Sequence, residues 1–286
     1  KDVEQEIGWM YETLHTDGKT KGRIEYTVWS EVFTCPDCVG EVVFFDEALD
    51  KDNKRLRDAL PCPHCGAELK KSRMERVLEN RVDPATGQPW KRIKFKPSLI
   101  VYKVGKARYE KEPDDQDLAT LARIEAMPYP DSIPKTPFPV EQMADGSRMA
   151  TKGFTHVHHL FLPRAAQAMG KLWEKSRMHP DARIRAFLLF MVEQFIWGFS
   201  VLNCYGLRSY SQVNQNLPGF YYVPSQCAET SPEYNIAGKI DHLAKVFQGY
   251  QAAQGMSIVN TGTAACLSLP DASIDYVFTD PPFGEN

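Results

Sequence analysis

Ile274-Asp275-Tyr276-Val277-Phe278-Thr279-Asp280-Pro281-Pro282-Phe283 is the stretch on which a fold reading of this chain turns. Its first six residues form an apolar, aromatic-rich run that reads as a buried strand. Pro281 and Pro282 cannot continue a hydrogen-bonded ladder, so the strand hands over to a stiff loop at Asp280. A loop at the carboxyl end of a strand is where open α/β sheets carry their sites. Working outward, Met256 to Val259 reads as a second strand, and Leu267 to Asp271 as the connection between the two. Ser231-Pro232-Glu233 opens a helix running to about Gln251, with proline in the first turn. Helix and strand alternate, so the fold class predicted is α/β.

Further upstream the pattern changes. Apolar residues at helical spacing (Ile7, Met10, Tyr11, Leu14) predict a helix over Val3 to Leu14, stopped at Thr16-Asp17-Gly18. From Arg23 to about Lys111 the reading is mostly strand. Ile24, Tyr26 and Val28 alternate, and Val42-Val43-Phe44-Phe45 and Leu99-Ile100-Val101-Tyr102 are β-rich runs. Asp83-Pro84-Ala85-Thr86-Gly87 is a turn cluster. Glu110 to Gly153 is rich in proline and charge and reads as a linker or surface-hugging loop. Helices follow at Ala165 to Arg177, led by Pro163, and at Ala182 to Leu202, with His179-Pro180-Asp181 between them. Gly206 to Pro218 reads as polar loop and Phe220 to Val223 as a short strand. Four segments result: 1–22, a core helix; 23–111, a β subdomain; 112–209, linker and helices; 210–286, the α/β segment.

Two cysteine pairs lie inside the β subdomain. Cys35-Pro36-Asp37-Cys38 and Cys62-Pro63-His64-Cys65-Gly66 give two Cys-x-x-Cys knuckles separated by 23 residues. Each is a tight turn that presents two thiolates. Four thiolates suit tetrahedral Zn²⁺ with no open position, so Cys35, Cys38, Cys62 and Cys65 are the predicted ligands of a structural zinc ribbon, with His64 outside the ligand set. The other three of the seven cysteines, Cys204, Cys227 and Cys266, are scattered. That pattern is a metal site plus free thiols rather than a disulfide framework, and it fits a reducing cytoplasm.

Composition adds bounds. The net charge of the 286 residues is only −3, so nucleic-acid contact has to come from local patches. One such patch is Lys91, Arg92, Lys94, Lys96, Lys103, Lys106, Arg108 and Lys111, interleaved with Phe95, Tyr102 and Tyr109. It reads either as a track for a nucleic-acid backbone or as a solvated β-edge guarded by lysines. Thr155-His156-Val157-His158-His159 is a histidine cluster of a kind that binds metal or phosphate, but without a carboxylate nearby in sequence it reads first as an element that positions the helical segment. The most apolar stretch, Ala186 to Leu202, carries Glu193 and Gln194 and predicts a buried helix, not a membrane span.

Thr279-Asp280-Pro281-Pro282-Phe283-Gly284-Glu285-Asn286, the paired cysteines, Glu6-Ile7-Gly8-Trp9-Met10-Tyr11 and His158-His159-Leu160-Phe161-Leu162-Pro163-Arg164 together resemble the prokaryotic adenine-specific DNA methylases that carry a zinc ribbon. The resemblance implies part of a Rossmann-like class I methyltransferase sheet, interrupted by the zinc-ribbon β subdomain and the helical segment. It implies S-adenosylmethionine as methyl donor, DNA as partner, and a cytoplasmic role in modification or phage defence. In this family Asp280, Pro281, Pro282 and Phe283 would be the catalytic loop. An exocyclic base amine is a poor nucleophile. The Asp280 carboxylate and the Pro281 carbonyl would accept its hydrogens, and Phe283 would stack on a base flipped out of the duplex. Asp at the first position leans towards adenine N6 over cytosine N4.

Gly262, Thr263, Ala264 and Asp280 are the expected cofactor contacts, although relatives usually have Asp where Thr263 stands. No Gly-x-Gly occurs in the chain. In the family resembled, that cofactor loop would precede residue 1, so the chain is expected to be a piece of a longer enzyme and inactive alone. Two other readings stay open. One is a non-catalytic DNA-binding or assembly module, and the other a methyltransferase acting on RNA or protein. Oligomeric state is not legible.

Overall fold

Lys21–Thr34 is the axis of the structure. In the computed structural model, which describes residues 2–50, 52–53, 55–138, 149–207, 213, 222–250, 262–263, 265–267 and 269–279, this 14-residue strand is buried almost end to end. The strands, in chain order, are β1 (Glu12–Leu14), β2 (Lys21–Thr34), β3 (Glu41–Val43), β4 (Leu49–Asp50), β5 (Arg55–Leu56), β6 (Ala59–Pro61), β7 (Glu68–Lys70), β8 (Glu75–Arg76), β9 (Leu78–Val82), β10 (Pro89–Ile93), β11 (Phe95–Val104), β12 (Ala107–Lys111) and β13 (Gln226–Thr230). The helices are α1 (Asp2–Ile7), α2 (Phe44–Ala48), α3 (Asp115–Glu125), α4 (Pro163–Arg177), α5 (Ala182–Glu193), α6 (Ile196–Phe199) and α7 (Pro232–Tyr250).

β2 pairs with β11 over most of its length, and with β1, β13, β3 and β8 along the rest, in a seven-stranded sheet. Every strand pairing among the described residues is antiparallel. The chain is therefore mixed α/β, and the Rossmann-like parallel sheet is not present among the described residues. Short turns that reverse the chain account for the hairpins β6–β7, β9–β10 and β11–β12. The direction of β11 and β13 against β2 is set by tertiary packing, because those strands come from distant parts of the chain. Register shifts between Pro97 and Leu99 and between Val101 and Tyr102 let β11 bend, and the first accommodates a proline inside a strand. The sheet takes strands from residues 12–14, 21–111 and 226–230, so it runs through three of the four segments read from sequence.

Several local readings need correction. The helix expected over Val3 to Leu14 ends at Ile7, and a 3₁₀ turn (Gly8–Tyr11) leads into β1, because residues 12–14 pair with β2. The β-run at Val42 to Phe45 turns helical at Phe44. Adjacent Phe44 and Phe45 enter different apolar clusters, one around the cysteines and one around Tyr26 and Tyr205. The proline-rich linker contains α3, whose N-cap Asp114 and Asp117 form a reciprocal capping box. Pro113 precedes the N-cap, and the other prolines of that region begin at Pro128, beyond the helix end. The helix expected over Ala182 to Leu202 breaks after Glu193, and Phe195 and Phe199 are buried where the chain turns. Tyr222 and Val223 are not in a strand, and the strand lies at β13 instead. Residues 256–259 lie outside the described residues.

Two compact units are resolved, Lys1–Leu243 and Ala244–Asn286. In the second, Ile274 to Thr279 is not a strand. No ladder partner pairs with it among the described residues, and Tyr276, Val277 and Phe278 are exposed. An isolated extended segment has no hydrogen-bonded neighbour to hold it as a strand.

Gly153 decides how the histidine segment is laid on the sheet. Its φ is +87°, and an added Cβ would come within 2.2 Å of the Lys91 carbonyl oxygen and 2.6 Å of Arg92 Cα. The Trp90 indole N–H donates to the Gly153 carbonyl at 2.7 Å. Both the conformation and the close approach demand glycine. Gly153→Ala should therefore destabilise the protein by more than about 1 kcal/mol. Chemical denaturation checks this; an unchanged midpoint would mean that the loop is not held against β10.

Candidate metal centre

The two knuckles are built alike. In the first, the Cys35 N–H donates to the Gly40 carbonyl and the Val39 N–H to the Cys35 carbonyl, both at 2.9 Å. In the second, the Cys62 N–H donates to the Ala67 carbonyl at 2.8 Å and the Gly66 N–H to the Cys62 carbonyl at 3.0 Å. The residue after each second cysteine is left-handed, Val39 at φ 62° and Gly66 at φ 74°. Equivalent backbone turns thus aim two thiols from each loop at one point. The first knuckle lies between β2 and β3, and the second between β6 and β7.

The four sulfurs lie within 4.8 Å of one another. Cys35 Sγ is 3.8 Å from Cys65 Sγ, and Cys38 Sγ is 3.7 Å from Cys62 Sγ. These spacings match the edges of a tetrahedron around an ion about 2.3 Å from each sulfur. Cys35 and Cys62 are buried on the apolar side, with Phe33, Val42, Phe44, Leu60 and Leu69, while Cys38 and Cys65 are exposed. This grouping could hold a metal such as zinc.

The electrostatics divide the thiols. Burial opposes ionisation of Cys62, but the backbone N–H groups of Cys65 and His64 outweigh it and bring the thiol down to about 6. At Cys38 the Gly40 N–H favours the thiolate, but burial and the neighbouring sulfurs push the thiol up to about 12. Four thiolates this close need a cation to ionise together. His64 has another task. Its Nε2 pairs with the Glu41 carbonyl at 2.9 Å, and its ring lies on Gly40 so closely that an added Cβ there would meet His64 Cδ2 at 2.4 Å. It clamps one knuckle to the other.

The histidine segment acquires a carboxylate that its sequence neighbourhood lacks. Asp83, in the turn between β9 and β10, accepts from His158 Nε2 at 3.0 and 2.9 Å and from His159 Nε2 at 3.2 Å. The Ala85 and Thr86 amides donate to its Oδ1 at 2.9 and 3.3 Å. Burial raises the Asp83 carboxyl, but the Ala85 amide, His158, Thr86 and His159 together hold it well below the usual carboxylate range. Burial lowers both imidazoles, His159 to about 4. Trp90 stacks on His159 with ring centroids 4.0 Å apart. The pairing joins residues 75 positions apart, so nothing in local spacing could have signalled it.

The basic stretch is largely engaged within the protein. Arg92 pairs with Glu79, Lys94 with Glu41, Lys103 and Arg108 with Glu25, and Lys111 with Asp114 and Asp117. Of its aromatics, Tyr102 is buried, and Tyr109 packs on His15. Lys91, Lys96 and Lys106 form no ion pair among the described residues. The chain matches no family model, no curated protein and no solved structure. Asp280, Pro281, Pro282, Phe283 and Ala264 lie outside the described residues. Gly262 and Thr263 are exposed, in a small turn where Thr263 accepts from the Ala265 and Cys266 amides. No helix among the described residues is long and apolar enough to cross a membrane.

Proposed function

We propose that this chain belongs to a DNA amino-methyltransferase that uses S-adenosylmethionine, most consistent with adenine N6 as the target, and that the four-cysteine cluster holds a structural Zn²⁺ within it. The observation that carries the activity is the sequence Asp280-Pro281-Pro282-Phe283. An acceptor side chain, an acceptor carbonyl held by two prolines and an aromatic face are what methyl transfer to a flipped base amine requires. S-adenosylmethionine would supply the electrophilic methyl group. The Asp280 carboxylate and the Pro281 carbonyl would orient the amine, and Phe283 would position the ring. The paired knuckles support zinc in a closed, non-catalytic role. A Rossmann-like sheet around residues 256–286, a DNA partner and a cytoplasmic location belong to the same proposal.

Two observations favour a second reading. The sheet among the described residues is antiparallel, and most of its basic side chains are paired within the protein. A zinc-ribbon module that assembles with other proteins, without catalysis, fits those features. The discriminating experiment incubates the protein encoded by the complete reading frame with labelled S-adenosylmethionine and mixed-sequence DNA, then identifies the methylated nucleoside by mass spectrometry. N6-methyladenine is expected, falling at least about 100-fold in Asp280→Ala, the scale of losing one aligned transition-state acceptor. Zinc-loaded, folded protein without transfer would favour the module.

A further inference from the structure

We propose that Asp83, His158 and His159 bind a second divalent transition-metal ion, in a buried nitrogen–oxygen site separate from the four-cysteine cluster. The inference does not rest on the methyltransferase reading.

Three potential ligand atoms from two distant segments lie within 4.8 Å of one another, and all three side chains are buried. The two imidazoles present the same atom, Nε2, to the same carboxylate. His158 Nε2 is 3.0 and 2.9 Å from the two Asp83 oxygens, so it faces the middle of the carboxylate instead of one lone pair. Ligand atoms about 2.0–2.1 Å from a shared metal stand roughly 3.3 Å apart in a tetrahedron. Spacings of 2.9 to 3.2 Å therefore reach that arrangement with a small opening. Two imidazoles and one carboxylate are a donor set for Zn²⁺ or Fe²⁺, not for Ca²⁺ or Mg²⁺.

Charge points the same way. A buried carboxylate is expensive unless hydrogen bonds or a cation compensate it. Asp83 has no Lys or Arg partner among the described residues, only the two histidines. The surroundings are also arranged as a supporting layer. The Ala85 and Thr86 amides hold Oδ1, which His158 also faces, while Oδ2 faces both histidines. Trp90 fixes the plane of the His159 ring. Binding needs no redox step. Each neutral imidazole gives its Nε2 lone pair to the ion and carries its proton on Nδ1. For His159 the acceptor within reach is Thr155 Oγ1, 3.4 Å away, whereas the buried Nδ1 of His158 has no partner among the described residues. In the metal-free rival, Nδ1 instead accepts the Thr155 amide proton, at 3.2 Å, and Nε2–H donates to Asp83. Three protein ligands leave a fourth position, and the burial of all three side chains leaves that position to a small ligand such as water.

The test counts metals and reads their ligands in the whole chain. Wild-type protein loaded with Zn²⁺ and passed through a desalting column should carry two equivalents by elemental analysis. Asp83→Asn, which preserves the oxygen facing the Ala85 and Thr86 amides, should carry one, and so should Cys62→Ser. Cobalt-loaded Cys62→Ser should keep d–d absorption while losing the thiolate charge-transfer band. Zinc-edge X-ray absorption of the wild type, which needs no variant to fold, should show a mixed first shell of sulfur and nitrogen or oxygen. A first shell of sulfur alone, with one equivalent bound, overturns the proposal and leaves the ribbon reading intact. One equivalent in a nitrogen–oxygen shell alone would support this site and remove the ribbon's zinc.

Discussion

Cys62→Ser is expected to release the metal and unfold the second knuckle, with loss of amide protection across β6 and β7. The hairpin has only three residue pairs, Ala59 with Lys70, Leu60 with Leu69 and Pro61 with Glu68. A two-stranded ribbon of that length does not stand alone in water. Its apolar support is the small cluster of Phe33, Val42, Phe44, Leu60, Leu69 and Met74 around the buried sulfurs. A structural zinc in a small fold binds with on the order of 10 kcal/mol. That is comparable with the whole stability of a domain, about 5–15 kcal/mol. Losing one of four thiolates should therefore outweigh any single side-chain truncation in this region. Hydrogen exchange with and without a chelator reads the effect directly. Chelated wild type should resemble Cys62→Ser, and Cys266→Ser, at an exposed thiol outside the cluster, should match untreated wild type. Equal protection in all four samples would rule out a metal cross-link.

Glu229→Ala should cost about 3–5 kcal/mol, the scale for stranding one member of a buried ion pair. Glu229 on β13 accepts from Arg164 Nη2 at 2.6 Å and from the Trp29 indole at 2.9 Å. Arg164 on α4 also donates to Thr27 Oγ1 at 2.8 Å, and both charged side chains are almost fully buried. This group ties the helix to β2 and β13 at once. Without the carboxylate, the guanidinium remains in the core with the Thr27 hydroxyl and the Met10 carbonyl, the latter 3.4 Å away, but no countercharge. Arg164→Met with Glu229→Gln removes both charges and should recover much of the loss. Urea unfolding of Arg164→Met, Glu229→Gln and the double makes a cycle. Additive losses would show that the pair contributes no coupling.

The cysteine knuckles were legible because everything that builds them is local. Two residues between thiols, a proline after the first cysteine and a backbone turn after the second set the geometry within each loop. Pro232 marked the start of α7, and the Asp83 to Gly87 cluster marked a turn, for the same reason. The Asp114 capping box is local too, and was obscured only by the proline-rich composition of its surroundings. The strand tendencies of Ile24 to Val28 and Leu99 to Tyr102 were also readable, but their partners were not. Strand propensity is a property of a segment, whereas direction and register depend on which distant segment arrives beside it.

Tertiary structure alone made the sheet antiparallel among the described residues, turned Phe44 and Phe45 into different cores, and paired Arg92, Lys94, Lys103 and Arg108 with Glu79, Glu41 and Glu25. It also set Asp83 against His158 and His159, and Arg164 against Glu229. Covalent spacing determines what a few neighbouring residues can do. A buried charge finds its partner only when the whole chain has packed, because the cost of leaving it unpaired is felt only once water is gone.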